Sequence, residues 1–296
     1  MSRITVIGAG AIGCAIGGAL LQAGHEVTFC ARKAFTHLVV QKDSEPALRY
    51  PANVVTSPSQ VPAADWVVLC VKAYQVASAA DWLAAAVGPG TRVAVFQNGV
   101  EQKDNVEPYV PAGTAIVPVV VDLPVSRTAP GNVHWSRIAT VTVPEGADGA
   151  DFVAAFAGSF VSAETCDEFI TRAWLKLCNN APSGAILALT GQPMRVMREP
   201  GIADLARAIL KEVVAVGRAE GARFEDALIE RQVQFFLGAK GDEGNSMYAD
   251  RIAGREMEWN ARNAVVVRKA ALHGIAVPVS ASLVPLLAAI SNAAKG

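Results

Sequence analysis

The stretch Ile4–Gly13, ITVIGAGAIG, joins a short apolar run to a glycine cluster, and an alanine-rich segment of helical length follows it. This arrangement predicts a buried strand, a tight turn and a helix. Gly8 permits the turn, Gly10 leaves room for a phosphate beside the backbone, and Gly13 lets the helix pack closely against the strand. The helix N-terminus offers N–H groups to phosphates, so the stretch predicts a dinucleotide site. The residues expected to line it are Gly8, Gly10, Ala11, Ile12 and Gly13.

Strand and helix patterns alternate along the first half of the chain. The predicted strands after the first are Glu26–Cys30, Trp66–Val71, Val93–Phe96 and Ile116–Val121, with Asn132–Trp135 and Ile138–Val143 as a closing hairpin. The predicted helices are Ala11–Ala23 and Gln75–Ala86. This alternation predicts an α/β fold, a Rossmann-type doubly wound parallel sheet with right-handed crossovers.

The pattern changes near Phe169, after which few strand candidates occur. Apolar residues recur at helical spacing within 202–216 and 228–237, and glycines separate these segments. We therefore expect two domains, a dinucleotide-binding domain at 1–167 and an all-helical C-terminal substrate and catalytic domain at 168–296.

Composition limits the classes of protein to which the chain can belong. Hydrophobic residues make up 52% of the 296 residues and charged residues 18%, which is enough apolar material for a large core. The 26 basic and 27 acidic residues give a formal net charge of −1 without a basic block, which argues against a nucleic-acid partner. The longest apolar runs are strand-sized, well short of the ~20 residues of a transmembrane helix, so no membrane partner is expected.

The cysteines indicate a reducing compartment. Five are present, without the spacing typical of a metal site: Cys14, Cys30, Cys70, Cys166 and Cys178. We expect reduced thiols, mostly small core residues, in a cytoplasmic protein without a bound metal. The sequence leaves the oligomeric state open, and a homodimer is one state compatible with it.

The end of the second predicted strand distinguishes between nicotinamide cofactors. Enzymes that bind NAD usually carry an acidic residue there, about 20 residues after the glycines, which bonds the ribose 2′-hydroxyl. This chain has Arg32 and Lys33 instead. A guanidinium can hold a 2′-phosphate with two hydrogen bonds, whereas a carboxylate would repel it. Arg32 therefore predicts NADP(H), with a solvated basic turn as the alternative.

Polar residues follow the third and fourth predicted strands, where ligands bind in open α/β sheets. Lys72 and Gln75 come after the third strand, and Asn98 comes after the fourth. We expect all three at the cofactor site. The alternative is that Lys72 is an ordinary surface lysine and Asn98 one half of an Asn-Gly turn.

Lys176 and Asn180 lie four residues apart in a predicted helix and share one of its faces. Their neighbours are largely apolar, and a lysine, which starts protonated, can act there as a proton donor. The alternative is a lysine whose stem lies on apolar surface while its amine reaches water. Pro182 is expected to kink or end this helix.

A third group of polar residues lies between 245 and 263. Ser246 has the position of a helix N-cap, and Glu258 that of an acidic residue in the first turn of the next helix. A purely structural role for both is therefore an alternative to a functional one.

In this order and spacing, the motifs resemble those of the ketopantoate reductase family (2-dehydropantoate 2-reductases) over nearly the whole chain. The motifs are Gly8-x-Gly10-x-x-Gly13, Arg32, Val71-Lys72-Ala73-Tyr74-Gln75, Asn98-Gly99, Lys176-x-x-x-Asn180, Ser246-Met247-x-x-Asp250 and Gly254-Arg255-x-x-Glu258. The segment 71–75 and the Ser246 and Glu258 elements discriminate this family from other dehydrogenases. The resemblance implies a C-terminal domain of the 6-phosphogluconate-dehydrogenase C-terminal type.

The resemblance also implies NADPH-dependent reduction of a 2-oxo acid to a 2-hydroxy acid, with 2-dehydropantoate as the substrate. Lys176 would polarise the carbonyl oxygen and donate a proton, and Glu258 would orient Lys176 or the substrate. The substrate-binding residues would be Asn180 for a hydroxyl, Ser246 for the carboxylate, and Asn98, which would also lie beside the nicotinamide. Lys72 would assist on the cofactor side.

Three positions depart from the family pattern: Gly184-Ala185 replaces Asn-Pro, Asn260 replaces Asp, and Trp135-Ser136 replaces glycines. Loss of an asparagine side chain removes hydrogen bonds that a hydroxylated substrate would need. One alternative is therefore an NADP-dependent reductase of the same architecture that acts on another carbonyl or imine. A second alternative is a non-catalytic NADP-binding sensor, against which the joint presence of Lys176, Asn180 and Glu258 counts.

Overall fold

A computed structural model describes residues 1–294. Its strands are β1 (Arg3–Ile7), β2 (Glu26–Cys30), β3 (His37–Lys42), β4 (Leu48–Pro51), β5 (Asn53–Val55), β6 (Trp66–Leu69), β7 (Arg92–Val95), β8 (Ile116–Pro118), β9 (Val120–Asp122), β10 (Val125–Ala129), β11 (Asn132–Trp135), β12 (Thr140–Pro144) and β13 (Ser162–Cys166). Its α-helices are α1 (Ala11–Gln22), α2 (Ala80–Ala86), α3 (Gln102–Val106), α4 (Ala147–Ala154), α5 (Phe169–Thr190), α6 (Ile202–Ala219), α7 (Leu228–Gly238), α8 (Ser246–Ile252), α9 (Val265–Leu272) and α10 (Pro278–Ala293). A π-helix, Asn260–Ala264, leads into α9.

The chain forms two compact units. The sheet unit contains residues 1–97 and 102–169, and the helical unit contains residues 98–101 together with the chain from Ile170 onward. The short segment 98–101 therefore belongs with helices that are distant from it in the sequence.

Six parallel strands form the central sheet of the sheet unit, in the order β5-β2-β1-β6-β7-β8. β1 lies in the middle, where Ile4 pairs with Val27 on one side and with Trp66 on the other. The strand order reverses at β1, and open sheets of this kind bind ligands beyond the carboxyl end of the strands at that point. The predicted doubly wound parallel sheet is confirmed.

The prediction of one strand over Ile116–Val121 is wrong, because the segment contains two strands in different sheets. β8 pairs with β7 in the six-stranded sheet, whereas β9 pairs with β12 in a three-stranded sheet. Pro118 ends the first of them, since a proline has no N–H to continue the ladder of hydrogen bonds.

The predicted hairpin of residues 132–135 and 138–143 is also wrong. β11 pairs with β10 and β3, while β12 pairs with β13 and β9. The actual hairpin joins β10 to β11 through Pro130 and Gly131, and Gly131 has a φ of +73°. A proline–glycine pair of this kind is a turn signal, and it precedes the segment that was expected to begin the hairpin.

The predicted helix Gln75–Ala86 is shorter than expected. Only Ala80–Ala86 is α-helical, and it follows two 3₁₀ turns, Ala73–Gln75 and Ala77–Ala79. The strands β3 and β4, which the sequence pattern did not reveal, pair antiparallel beside the glycine-rich helix α1.

The helical unit contains no strand among its described residues. Pro182 does not end α5, which runs unbroken from Phe169 to Thr190. The following residue, Ser183, donates a hydrogen bond from its hydroxyl to the Asn179 carbonyl at 2.6 Å. The buried carboxylate of Glu212 on α6 accepts hydrogen bonds from the backbone N–H groups of Val279 (2.8 Å) and Ser280 (2.7 Å), and so caps α10.

Three structural findings bear on the predictions about membranes, metals and cysteines. Within residues 1–294, no helix combines the length and the apolar character needed to cross a membrane. In the same part of the chain, no three His, Cys, Asp or Glu side chains form a group that could hold a metal ion. All five cysteines are free, and Cys14, Cys30 and Cys178 are buried.

An aromatic cluster centred on Phe152 provides a test of the sheet unit's core. Phe152 is 0% exposed, and its ring centroid lies 4.8 Å from Trp66, 6.0 Å from Phe96 and 5.3 Å from Phe156. Phe152→Ala should lower the free energy of unfolding by about 3–5 kcal/mol, because it removes these contacts and leaves a cavity. Chemical denaturation followed by circular dichroism measures the loss. The matched control is Ile138→Ala, at a side chain 55% exposed, and equal effects of the two variants would contradict this assignment of the core.

Candidate active site

The glycine-rich turn after β1 has a geometry that requires two of its glycines. Gly8 has a φ of +100°, and a Cβ there would lie 2.8 Å from the Val71 nitrogen. A Cβ on Gly13 would lie 2.1 Å from the Gly8 carbonyl oxygen. Gly10 differs, because a Cβ there would meet no atom within 4 Å. The turn therefore packs tightly on one side and leaves space above Gly10 on the other.

The first turn of α1 supplies hydrogen-bond donors to that space. Gly10 is the N-cap and has no side chain that could cap the helix, and Ala11 and Ile12 are only half-buried. A helix N-terminus with uncapped N–H groups favours a phosphate through both hydrogen bonding and the helix dipole. The residues present thus fit the pyrophosphate of a dinucleotide.

The other predicted cofactor residues follow the carboxyl ends of β2 and β6, the two neighbours of β1. Arg32 is exposed and lies two residues beyond β2. Lys72 and Gln75 are half-buried in the turn after β6, where the Lys72 backbone N–H donates a hydrogen bond to the Gln75 side-chain oxygen at 3.3 Å. The turn is adjacent to the glycines, because the Gly8 backbone packs against Val71.

Sequence reasoning missed one cation near the glycine-rich turn. Arg127 on β10 is exposed, and its Nη1 lies 3.5 Å from the carbonyl oxygen of Ala9. No signal in the sequence pointed to it, since β10 was not predicted and lies more than a hundred residues from the glycines. Only the pairing of the strands brings it there.

In the helical unit, Asn98, Asn180 and Glu258 form a chain of hydrogen bonds. Asn98 Nδ2 donates to Glu258 Oε2 at 3.0 Å, and Asn180 Nδ2 donates to Asn98 Oδ1 at 3.5 Å. Glu258 is 5% exposed, so the bond from Asn98 partners a buried carboxylate. Three predicted site residues from distant parts of the sequence are therefore in contact.

Gly99 explains how Asn98 reaches this position. Its φ is +96°, and a Cβ there would lie 2.6 Å from the carbonyl oxygen of Ala261 in the π-helix. The backbone after Asn98 thus passes directly over the π-helix that follows Glu258. The Asn-Gly pair is a close-approach site as well as a turn.

Lys176, Asn180 and Gly184 are spaced at intervals of four along α5 and share one face of it. Lys176 is half-buried, and the neighbouring residues Trp174 and Leu177 are buried. The thiol of Cys178 on this helix is a core group, because burial raises its pKa to about 12. A thiolate nucleophile is therefore excluded here near neutral pH.

The prediction of Ser246 as an N-cap is wrong by one residue. Asn245 is the N-cap of α8, and its side-chain oxygen accepts the Tyr248 backbone N–H at 2.9 Å. Ser246 begins the helix, is exposed, and accepts a hydrogen bond from Arg262 Nη2 at 2.6 Å. Because Asn245 does the capping, the Ser246 hydroxyl is available for another role.

Arg262 is the second cation that sequence reasoning missed. It lies in the π-helix, is 3% exposed, and follows Glu258 by four residues, a spacing that could have suggested a pair on one helix face. Burial lowers its pKa, and the nearby carboxylates of Glu258 and Asp250 oppose that shift. π-Helical turns occur frequently at functional sites.

Two of the three departures from the family pattern make contacts that explain them structurally. Trp135 is buried in the core of the sheet unit and stacks on Phe160 at 5.2 Å. Asn260 is exposed and accepts a hydrogen bond from Arg268. Gly184 differs, since a Cβ there would lie 3.0 Å from the Met247 sulfur and 3.9 Å from Arg262 Cδ. Met247 and the Arg262 stem fill the space beside this glycine.

Comparison with known proteins places the chain in a family. Family models for "Ketopantoate reductase PanE/ApbA" and its C-terminal region match residues 4–148 and 168–291. The chain belongs to the ketopantoate reductase family. The resemblance identified from the sequence motifs is thereby confirmed.

Individual relatives agree over the full length. A 2-dehydropantoate 2-reductase of Caulobacter vibrioides is 41% identical, with 97% of this chain and 98% of that protein covered. One of Mycobacterium tuberculosis is 37% identical, with 98% of each chain covered. The crystal structure of a PanE/ApbA family ketopantoate reductase from Ralstonia eutropha JMP134 has a TM-score of 0.90 at 29% identity and covers 99% of this chain and 100% of that one.

The contrast between Gly10 and Gly13 tests the turn. Gly13→Ala should destabilise the protein by about 1–3 kcal/mol, because its Cβ would collide with the Gly8 carbonyl. Gly10→Ala should cost at most about 1 kcal/mol, since the space around it is open. It should nevertheless weaken dinucleotide binding about 5- to 100-fold, because the methyl group occupies the space that a pyrophosphate needs. Thermal unfolding and a fluorescence titration with NADPH separate the two effects, and unchanged binding by Gly10→Ala would contradict the placement of the phosphates.

Proposed function

We propose that this ketopantoate reductase family member catalyses the NADPH-dependent reduction of 2-dehydropantoate to pantoate. The observation that carries the proposal is the chain from Asn180 through Asn98 to the buried Glu258, one helical turn from Lys176 on α5. The proton donor thus shares a helix face with an amide that is connected through Asn98 to a buried carboxylate. Membership of the family supports the choice of substrate.

Lys176 acts as the general acid in this proposal. Its ammonium donates a hydrogen bond to the C2 carbonyl oxygen, stabilises the negative charge that develops there, and gives up a proton to form the hydroxyl group. The hydride that the carbonyl carbon accepts comes from the nicotinamide of NADPH when the cofactor is bound. The products are a 2-hydroxy acid, NADP⁺ and a neutral lysine, which is reprotonated from water.

Glu258 fixes the direction of the hydrogen-bond chain. An ionised carboxylate can only accept, so Asn98 must turn its amide N–H₂ toward Glu258 and its oxygen toward Asn180. Asn180 then points its N–H₂ at Asn98 and keeps its own oxygen as an acceptor. An acceptor at this point can bind a substrate hydroxyl, which is the role we propose for Asn180.

The cofactor is NADP(H) in this proposal. Arg32 is exposed beyond β2, beside the central strand that carries the glycine-rich turn, where it can reach a 2′-phosphate. Lys72 and Gln75, in the turn after the strand on the opposite side, are the further cofactor residues that we propose.

Lys176→Ala tests the general acid. It should lower kcat about 10²- to 10⁴-fold, because the carbonyl loses its proton donor. The assay follows NADPH oxidation with 2-dehydropantoate. Lys211→Ala, at an exposed lysine on α6, is the matched control and should retain wild-type turnover. Near-normal turnover by Lys176→Ala would remove Lys176 from the mechanism.

Arg32→Ala tests the choice of cofactor. It should raise the KM for NADPH about 10- to 100-fold, because a charge-assisted hydrogen bond to the 2′-phosphate is lost. The KM for NADH should change little, since NADH lacks that phosphate. Arg49→Ala on β4 replaces another exposed arginine of the same unit and serves as the control. Tighter binding of NADH than of NADPH by the wild type would contradict the proposal.

One observation favours a second candidate function on the same site. Gly184 offers no side chain, and Met247 fills the space beside it with a thioether, which is a poor hydrogen-bond partner. A less hydroxylated 2-oxo acid would suit such a wall. The two candidate substrates are distinguished by comparing kcat/KM for 2-dehydropantoate with kcat/KM for 2-oxo acids that lack the hydroxyl. A site built around a hydroxyl rejects analogues without it, so a higher kcat/KM for 2-dehydropantoate supports the first function.

The assembly and location of the protein remain predictions. A homodimer is the assembly we propose, because the helical unit exposes several large apolar side chains, among them Phe235, Leu272 and Leu286. The free cysteines are consistent with the predicted cytoplasmic location. Light scattering of the purified protein would determine the oligomeric state.

A further inference from the structure

The guanidinium of Arg262 is a buried cation with an unmatched donor. The residue is 3% exposed, and its Nε has no hydrogen-bond partner. Burying a charge is costly unless the charge is paired and fully hydrogen-bonded. A buried guanidinium with an open donor therefore needs an explanation beyond stability.

Two carboxylates act electrostatically on this cation. Glu258 and Asp250 both interact electrostatically with Arg262. Each also accepts a hydrogen bond from another residue: Glu258 from Asn98 at 3.0 Å, and Asp250 from Arg255 at 3.0 Å. The Nη2 group of Arg262 is directed at the hydroxyl of Ser246.

The bond between Arg262 and Ser246 sets the orientation of the serine hydroxyl. A guanidinium carries only donors, so Ser246 Oγ must be the acceptor of the 2.6 Å bond from Nη2. The Ser246 hydroxyl keeps its own hydrogen for a different acceptor. Ser246 is exposed whereas Arg262 is buried. A ligand can therefore reach the Ser246 hydroxyl from the solvent side, while the hydrogen bond from the buried guanidinium polarises that hydroxyl.

We propose that Arg262 is the positioning residue that makes Ser246 a receptor for the carboxylate of the 2-oxo acid, so that the pair selects anionic substrates over neutral ketones. This inference rests on the proposed reductase function. The Arg262 stem also lines the space beside Gly184, which lies two turns along α5 from Lys176 on the same face. Arg262 thus connects the receptor for the acid group to the helix face that carries the proton donor.

The test compares a 2-oxo acid with its neutral carboxamide in the NADPH oxidation assay, using 2-dehydropantoate and 2-dehydropantoamide. In the wild type, kcat/KM should be higher for the carboxylate. Arg262→Met should lower kcat/KM for the carboxylate about 10- to 100-fold, mainly through KM, because a hydrogen bond to a charged group is lost. The kcat/KM for the carboxamide should change much less, so the ratio of kcat/KM for the carboxylate to that for the carboxamide should fall. Arg262→Lys, which keeps the cation, should recover part of the ratio.

Ser246→Ala separates positioning from general structural support. If Arg262 acts through Ser246, the double variant Ser246→Ala/Arg262→Met should be little worse than either single variant. NADPH affinity, measured by fluorescence, should stay near the wild-type value in every variant, because the glycine-rich turn, Arg32, Lys72 and Gln75 lie in the sheet unit and none of them is changed. If Arg262→Met does not fold, Arg262→Lys and Ser246→Ala still test the proposal, since each alters the same hydrogen bond at one end.

Two outcomes would overturn the proposal while leaving the reductase function intact. One is an unchanged carboxylate-to-carboxamide ratio in Ser246→Ala and in the folded Arg262 variants. The other is an equal loss for both substrates, which would indicate a purely structural arginine. Failure of the wild-type protein to reduce 2-dehydropantoate would instead contradict the proposed function itself.

Discussion

The buried carboxylate of Glu258 is the constraint on which the helical unit's site depends. A carboxylate removed from water must be hydrogen-bonded and must have positive charge nearby. Asn98 meets the first requirement with a 3.0 Å bond, and the buried Arg262 contributes to the second. Because the carboxylate can only accept, it sets the direction of the amides of Asn98 and Asn180. One buried charge thus orients the amides of two other residues.

A steric constraint has the same importance in the sheet unit. The Gly13 Cα lies so close to the Gly8 carbonyl oxygen that no Cβ fits between them, and Gly8 packs against the backbone of Val71 in the same way. These contacts bring the turn, the start of α1 and the end of β6 together at the point where the strand order reverses. The other side of the turn, above Gly10, is open, and a phosphate would fit there.

The three departures from the family pattern differ in what surrounds them in the structure. Trp135 stacks on Phe160 in the core of the sheet unit, and Asn260 accepts a surface hydrogen bond from Arg268, so both have a structural role. Gly184 is the informative one, because the Met247 thioether and the Arg262 stem occupy the space beside it. The loss of an amide at this position is accompanied by a guanidinium close by. The surroundings of Gly184 therefore consist of residues that the glycine alone could not indicate.

The sequence by itself determined the features that rest on local chemistry. The glycine spacing, the alternation of strands and helices, and the four-residue interval between Lys176 and Asn180 each follow from backbone geometry within a few turns of chain, and the family resemblance was carried by such motifs. Only the tertiary structure decided which strands pair, that Ile116–Val121 divides between two sheets, and that β11 and β12 do not form a hairpin. It also decided the contact of Asn98 with Glu258, which are 160 residues apart, and the burial of Arg262 behind Ser246. Such contacts depend on the packing of distant segments and on the electrostatic needs of buried charges, which no local pattern of residues contains.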